Sequence, residues 1–414
     1  PWKIWERSLN RLILTVWKGD VLTALWTDGQ ILRLSLDGKA SPSLVNRIYV
    51  GKVKNIVKNI DAAFVEFEEG VTGYYSLAEN QEHLYTSPDR PSDSPLKAGD
   101  ELVVQISRDA VKTKAPVLTG KISLAGRYAV LTKGKSGLAF SSRIQDREWK
   151  EQMRIRLRDL VPPGCSLIVR TNAWGAEAEV LAAEICQLAG RMEQILKEAK
   201  YRVWGSRLDD VPPPYLAGVR DISSGSLDEI VTDVPEIYRE LQAYLEENQR
   251  EDLEKLRFYE DRLLPLSKLY SLEAVMERAL SRQVWLKSGG YLVIDPTEAL
   301  TVIDVNTGKY SGKKNSGETI RMINLEAAEE IGRQMSLRNL SGIILVDFID
   351  MEKEENREEL LERMREICRR DPVRTTVVDM TALNLMEITR KKLKKPLHEM
   401  AAAKKSENTA AGKN

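Results

Sequence analysis

Two apolar segments in the last third of the chain carry aspartates. V-I-D-V-N contains Asp304 and Asn306, and I-I-L-V-D-F-I-D contains Asp347. Side chains alternate along a strand, so Asp304 and Asn306 share one face, and ligands of α/β sheets gather at strand ends. A carboxylate beside an apolar strand is costly unless it is paired or binds a metal. Because no His or Cys lies nearby, these oxygen ligands favour Mg²⁺ and hence phosphate chemistry.

The residue pattern leaves the choice among aspartates open. Each one is also compatible with a cap on the following loop or helix. Asp295, Asp350 and Asp379 follow apolar strand residues as well, and spacing does not rank them against the first pair. The Gly- and Lys-rich loop 306–317 misses the G-x-x-x-x-G-K-[ST] spacing of a phosphate loop, which disfavours an ATPase.

Alternating strands and helices must position these aspartates. Strand patterns occupy 291–294, 300–305, 343–348 and 375–378, and helical patterns occupy about 318–340 and 354–370. This alternation predicts an α/β layer domain. A polar tail, 401–414, has nothing to bury and is expected to be disordered.

The upstream part of the chain predicts smaller units. Residues 11–36 indicate an antiparallel meander, and the short strands that follow Asn46 indicate a five-stranded barrel with a Pro-rich loop at 80–99. A strand at 166–170 and a helix at about 176–199 follow. After the prolines at 212–214, charged helical patterns across 228–280 indicate a scaffold.

The barrel carries candidates for RNA contact. Phe64, Tyr74 and Lys114 would place two aromatic faces and a cation on one groove, an arrangement that holds unpaired bases by stacking. The alternative is that the aromatic rings belong to the barrel core, more so for Phe64 than for Tyr74. Residues 107–150 hold ten Lys or Arg against three Asp or Glu, which makes this stretch basic in a chain with 62 basic and 62 acidic residues.

Composition excludes several classes of protein and site. The three cysteines lie far apart without a C-x-x-C pair, so neither a disulfide framework nor a cysteine zinc site is expected. The two histidines lie in a Pro/Ser-rich region and near the chain end, which argues against a metal-free histidine ribonuclease. No apolar run reaches the ~20 residues that span a bilayer, and a cytoplasmic protein is expected.

Several motifs together resemble the ribonuclease E/G family. They are I-D-V-N-T-G, I-N-L-E-A-A-E-E-I-G-R-Q, L-S-G-I-I-L-V-D-F-I-D-M and T-A-L-N-L-M-E-I-T-R-K-K, with I-Y-V-G-K-V, D-A-A-F-V-E-F, K-I-S-L-A-G-R-Y and I-V-R-T-N-A upstream. The similarity covers roughly residues 11–396 in the order typical of the family.

The resemblance implies a multidomain α/β and α+β fold. Its parts are a ribonuclease H-like scaffold (1–44 and 212–282), an OB-fold RNA-binding barrel (45–125), a 5′-sensor region (126–211) and a DNase I-like catalytic domain (283–400).

The resemblance also assigns roles to individual residues. Asp304 and Asp347 match the Mg²⁺ ligands, with Mn²⁺ as an alternative ion, and Asn306 matches the asparagine that positions the scissile phosphate. Arg170 and Thr171 match the pair that grips a 5′-monophosphate, a role suited to the forked donors of arginine. Phe64, Tyr74 and Lys114 match the RNA contacts of the barrel.

The implied activity is Mg²⁺-dependent cutting of single-stranded, A/U-rich RNA to 5′-phosphate and 3′-hydroxyl ends, stimulated by a 5′-monophosphate, in rRNA processing and mRNA decay. The alternative is a catalytically weak RNA-binding or assembly protein. The family's C-x-x-C zinc link and small dimerisation domain do not follow T-R-K-K, so no zinc is expected, and a homodimer would form without that link. Asn384 stands where a glycine is usual, and Tyr74 where a phenylalanine is common.

Overall fold

The computed structural model describes residues 9–38, 43–110, 114–209, 211–222, 227–261, 263–308, 316–381, 383–392 and 395–402. The chain divides into two compact units. One joins Pro1–Ala40 to Ser224–Asn414, and the other comprises Ser41–Ser223. Most of the predicted Gly- and Lys-rich loop (309–315) and of the tail (from 403 onward) lies outside the described residues.

The strands in chain order are β1 (Asn10–Trp17), β2 (Asp20–Thr27), β3 (Gln30–Asp37), β4 (Ile48–Val57), β5 (Ala62–Glu68), β6 (Val71–Ser76), β7 (Glu101–Arg108), β8 (Val117–Thr119), β9 (Ser123–Ala125), β10 (Ala129–Lys133), β11 (Gly137–Phe140), β12 (Cys165–Val169), β13 (Arg207–Asp209), β14 (Glu229–Thr232), β15 (Leu256–Phe258), β16 (Gln283–Trp285), β17 (Tyr291–Pro296), β18 (Leu300–Asn306), β19 (Gly342–Asp347), β20 (Thr375–Met380) and β21 (Leu385–Arg390).

The α-helices are α1 (Arg147–Leu157), α2 (Ala178–Ala199), α3 (Pro214–Arg220), α4 (Pro235–Asn248), α5 (Leu266–Leu269), α6 (Leu272–Leu280), α7 (Ser316–Leu337) and α8 (Glu354–Arg370). In the described part of the chain, none of them is long and apolar enough to cross a membrane.

A six-stranded sheet in the first unit carries the predicted aspartates. Its order is β16-β17-β18-β19-β21-β20, and β18 and β19 are parallel. Alternate residues such as Ile303 and Ile344 are fully buried and belong to one core with apolar residues of α7 and α8. In α8, Leu360, Met364 and Cys368 recur every four residues and form the buried stripe. The opposite face of the sheet holds the polar residues of the site.

The second sheet of this unit, in the order β15-β14-β1-β2-β3, confirms the predicted meander and extends it. β14 pairs with β1 in parallel, 218 residues apart for Arg11 and Glu229. The helical patterns predicted across 228–280 did not include β14 and β15. The four-residue strand E-I-V-T is too short for its alternation to be recognised in the sequence. Its hydrogen bonds come from a distant strand, so the neighbouring residues give no further signal.

The second unit contains the predicted five-stranded barrel. Strands β4-β5-β6-β8-β7 form the ring, and pairing of β4 with β7 closes it. Gly51 lies where a Cβ would come within 2.5 Å of Val65, so the close approach of β4 and β5 requires glycine. A four-stranded sheet, β11-β12-β10-β9, packs against α2 through a shared core that includes Leu167 and Ile185.

A buried ion pair joins the end of β21 to the segments that follow α7 and α8. Arg390 and Asp371 have side chains only 2 % and 7 % exposed, and Arg390 Nε donates to Asp371 Oδ2 at 2.7 Å. Arg390 Nη1 also donates to the Leu340 carbonyl at 2.8 Å. The arginine of the T-R-K-K motif is therefore structural.

We expect Arg390→Met to lower the free energy of unfolding by about 3–5 kcal/mol, because Asp371 would keep its charge in a buried position without the guanidinium of Arg390. Urea denaturation at neutral pH would measure the change. The matched control is Arg239→Met, whose exposed pair with Glu236 should contribute about 0–1 kcal/mol. Similar losses in the two variants would contradict this role of Arg390.

Candidate active site and phosphate pocket

The parallel pairing of β18 and β19 brings the two predicted metal-binding aspartates together. Asp304 and Asp347 are directly opposed in the register. Opposed residues on neighbouring strands lie on the same face, about 5 Å apart at the backbone. Asp347 is exposed at the last position of β19, and Asp304 is half-buried. Their carboxylates therefore project from one edge of the open face.

The electrostatics of this pair are unfavourable in the absence of a cation. Burial raises the pKa of Asp347, and the carboxylates of Asp304 and Asp350 raise it further. Asn306, two residues after Asp304, donates from Nδ2 to Asp304 Oδ2 at 2.7 Å. One oxygen of Asp304 is thus oriented by an amide on the same face.

The three aspartates that the sequence could not rank have different environments. Asp295 forms a two-point pair with Arg282, at 2.5 Å for each bond, and Asp379 accepts from the Met380 amide at 2.9 Å. Asp350 accepts from Asn384 Nδ2 at 3.2 Å. Asp295 is thus neutralised by an arginine.

Asn384 lies in the turn between β20 and β21 with φ +60°. Glycine adopts this left-handed backbone without strain, and asparagine is among the side-chain residues that tolerate it best. The replacement of the usual glycine therefore keeps the turn. It also adds an amide that contacts Asp350.

The donor set fits a hard divalent cation. Asp304, Asp347 and Asn306 offer only oxygen ligands on one face, and the like charges of the two carboxylates favour a bound cation. Within the described ranges, no group of three or more His, Cys, Asp or Glu could hold a metal ion. Mg²⁺ suits such a sparse set because it usually keeps several waters and completes its shell with substrate phosphate.

On the barrel, Phe64 and Tyr74 are opposed across β5 and β6, with ring centroids 6.3 Å apart in an edge-to-face arrangement. Both are half-buried, whereas their neighbours Ala63, Val65 and Tyr75 fill the barrel interior. The two predicted rings therefore lie on the outer surface and not in the core.

Lys114 is exposed just before β8. Two residues later, the Pro116 carbonyl accepts from the Tyr74 amide at 2.8 Å. The backbone therefore brings the Lys114 segment to the strand that carries Tyr74. Residues 111–113 lie outside the described residues.

The predicted phosphate pocket follows β12. Arg170 donates to the Gly126 carbonyl at 2.7 Å and to Asp221 Oδ1 at 2.8 Å, so two contacts orient its guanidinium. Thr171 begins the short 3-10 turn Thr171–Ala173, and its hydroxyl lies 2.9 Å from the Ser141 hydroxyl. The half-buried Arg170 is thus followed directly by a contact between two hydroxyl groups.

The residues that support Arg170 were not predicted from the sequence. Arg220 Nε also donates to Asp221 Oδ1, at 3.2 Å. Burial alone would raise the pKa of Asp221, but the guanidinium groups of Arg220 and Arg170 outweigh it and hold the pKa below the usual range. Asp221 is 51 residues from Arg170, and no local signal in the sequence links them.

Glu184 of α2 was missed as well. Its carboxylate accepts from the backbone amides of Arg127, Tyr128 and Ala129 at 2.7–2.9 Å. A Cβ at Gly126 would lie within 2.4 Å of Glu184, so this turn requires glycine. Burial raises the pKa of Glu184, and the three amide bonds act in the opposite direction. Glu184 therefore sets the turn whose carbonyl holds Arg170.

We expect Asp347→Asn to raise the thermal midpoint at pH 7 in EDTA. A carboxyl whose pKa is raised on folding stabilises the protein below its unfolded pKa, about 3.9, and loses this effect as pH rises through the folded pKa. The difference from wild type should vanish near about pH 4. Calorimetry of both proteins in EDTA between about pH 4 and pH 7 would measure this difference in thermal midpoint.

Asp295→Asn is the matched control, and its expected change in thermal midpoint has the opposite sign. The hydrogen bond from Arg282 lowers the pKa of Asp295, so this variant should lower the thermal midpoint at pH 7. A lower midpoint for Asp347→Asn in EDTA would show that ionised Asp347 is stabilising.

Comparisons with known proteins identify the family of the chain. The model of the ribonuclease E/G family matches residues 123–393, more than half of the chain. Ribonuclease G of Escherichia coli is 32 % identical over 391 residues, which cover 91 % of this chain and 78 % of that protein. Ribonuclease E of Synechocystis is 32 % identical over 395 residues, 95 % of this chain and 58 % of that protein.

Ribonuclease G of Haemophilus influenzae is 30 % identical over 401 residues, which cover 94 % of this chain and 81 % of that protein. Both the family model and these relatives cover the strands that carry Asp304 and Asp347. The chain therefore belongs to the ribonuclease E/G family, a family of RNA-hydrolysing enzymes.

Proposed function

We propose that the chain is an endoribonuclease that uses Mg²⁺, or Mn²⁺ in its place, to cut single-stranded, A/U-rich RNA in rRNA processing and mRNA decay. The observation that carries the proposal is the opposition of Asp304 and Asp347 across β18 and β19, beside Asn306. The products are a 5′-phosphate and a 3′-hydroxyl.

In this proposal Asp304 and Asp347 hold the ion and Asn306 orients the substrate. The bound ion supplies Lewis-acid polarisation of the scissile phosphate and a more acidic water. One Asn306 N–H is used by Asp304, which directs the amide so that its second N–H can donate to a phosphate oxygen. The water oxygen bonds to phosphorus in line as the bond from phosphorus to the 3′ oxygen breaks. The attacking water gives up one proton and the departing 3′ oxygen takes one up, which leaves a 5′-phosphate and a 3′-hydroxyl.

We also propose that the chain divides into domains at residues 44, 125, 211, 282 and 400, and that each domain has the fold that the family resemblance implies. The catalytic sheet with α7 and α8 would be the DNase I-like domain, and the sheet of β1–β3, β14 and β15 the ribonuclease H-like scaffold. The barrel with Phe64, Tyr74 and Lys114 would bind unpaired bases. A cytoplasmic location and a homodimer without a zinc link remain predictions.

Cleavage of a 5′-monophosphorylated, A/U-rich, single-stranded RNA tests the reaction. Asp304→Asn should lower the rate at least about 10²–10³-fold, the effect of removing a preorganised electrostatic group, and EDTA should abolish cutting by the wild type. Asp295→Asn, whose carboxylate is paired with Arg282, should stay within about threefold of wild type.

Two outcomes would contradict the proposed reaction. A 2′,3′-cyclic phosphate product would exclude attack by water in the cleavage step. RNA binding without cutting by the wild type would favour the alternative of a binding or assembly protein.

The 5′-sensor role is tested by the ratio of rates on 5′-monophosphate and 5′-hydroxyl RNA. Wild type should favour the monophosphate. Arg170→Lys should bring the ratio close to one, because an ammonium lacks the fork that Asp221 and Gly126 orient. The rate on 5′-hydroxyl RNA should be unchanged.

Glu184→Gln weakens the support of the Gly126 turn and should have a smaller effect on the same ratio of rates. An unchanged ratio in Arg170→Lys would refute the sensor role.

A further inference from the structure

The open face of the catalytic sheet continues past Asn306 to an aromatic pair. Trp285 on β16 is opposed to Tyr291 on β17, and Tyr291 is opposed to Asn306 on β18. Opposed residues of neighbouring strands share a face. The face that carries Asp304 and Asp347 therefore carries Trp285 and Tyr291 as well.

The two rings form one surface. Their centroids are 5.3 Å apart with a tilt of 56° between the planes. Trp285 is 65 % exposed, while Tyr291 is half-buried beneath it. Residues 284 and 286 point to the core side. The exposure of Trp285 therefore follows from the alternation of side chains along a strand and does not reflect an irregular segment.

The hairpin that carries these rings is held against the backbone of the site. Gly308, with φ +62°, lies where a Cβ would come within 2.2 Å of the Gly289 carbonyl oxygen. Glu326 of α7 accepts from the Lys287 and Ser288 amides, at 2.7 Å for Lys287. The aromatic pair therefore has a set position relative to Asn306.

We propose that Trp285 and Tyr291 form a stacking platform for a base of the RNA strand next to the scissile phosphate. This proposal rests on the proposed function. Two strand spacings separate Trp285 from Asn306, about 10 Å at the backbone, which is within reach of a neighbouring nucleotide. A π-face accepts any base, so the platform adds affinity without strict sequence preference.

An RNA base fits this surface better than a protein partner does. The rings are continuous with the carboxylates on one open face, and a protein covering Trp285 would also approach Asn306 and Asp304. An extended RNA strand with its phosphate at Asn306 passes the rings without covering the site. The exposed aromatic surface of Trp285 therefore suits the substrate itself.

The test combines protein variants with RNAs that lack one base. In wild type, an abasic nucleotide at one position beside the scissile bond should lower kcat/KM by about 5- to 100-fold, the usual range for one stacked base. Trp285→Ala should lower kcat/KM on intact RNA by a similar factor and should lose sensitivity to that abasic position. Trp285→Phe should keep most of the activity and the sensitivity.

Tyr201→Ala is the control, since Tyr201 is 83 % exposed and lies in the other unit. It should match wild type on every RNA. Equal abasic sensitivity in wild type and Trp285→Ala, with both proteins folded by circular dichroism, would overturn the proposal. Unchanged cleavage with a loss of self-association in Trp285→Ala would also overturn it and would favour a protein interface.

The same set of variants and RNAs is also measured for binding, with Ca²⁺ replacing Mg²⁺. One outcome is that the wild type does not cut in Mg²⁺ while Trp285→Ala removes the effect of the abasic nucleotide on binding in Ca²⁺. The proposed reaction would then fail, and the platform would be supported. If binding shows no such coupling, the platform fails whatever the cleavage result.

Discussion

The repulsion between Asp304 and Asp347 is the constraint on which the catalytic unit depends. Their opposition follows from the parallel register of β18 and β19, and the pKa of Asp347 is raised first by burial and then by the Asp304 carboxylate. The sheet can hold them because α7 and α8 fill its other face with apolar packing, while the Arg390–Asp371 pair joins the loops at one end. Stability is thus supplied on one side of the sheet and chemistry on the other.

The proposed phosphate pocket of the second unit follows a different electrostatic principle. Arg170 is held by Asp221 and the Gly126 carbonyl, and Glu184 fixes the turn that contains Gly126. Two carboxylates thus orient the guanidinium that would bind the phosphate. Such a preorganised guanidinium loses little side-chain entropy when an anion binds.

Both departures from the family pattern have a structural reason. Asn384 keeps the left-handed turn and adds a contact with Asp350. Tyr74 keeps the edge-to-face packing with Phe64 on the barrel surface.

The sequence by itself determined the local elements of the site. Periodicity predicted β18, β19, α8 and the barrel, because alternating burial and helical spacing are local properties of the chain. It also placed Asp304 and Asn306 on one face, since that follows from strand alternation alone.

Only the tertiary structure decided which groups meet. β14 gains hydrogen bonds from the distant strand β1, so its short pattern was not recognised. The residues also gave no physical reason to prefer Asp304 and Asp347 over Asp295 until the register opposed the first two and Arg282 neutralised the third. Asp221 near Arg170 and Trp285 beside Asn306 are likewise products of strand pairing and loop packing, because Coulomb and stacking interactions depend on distance in space and not along the chain.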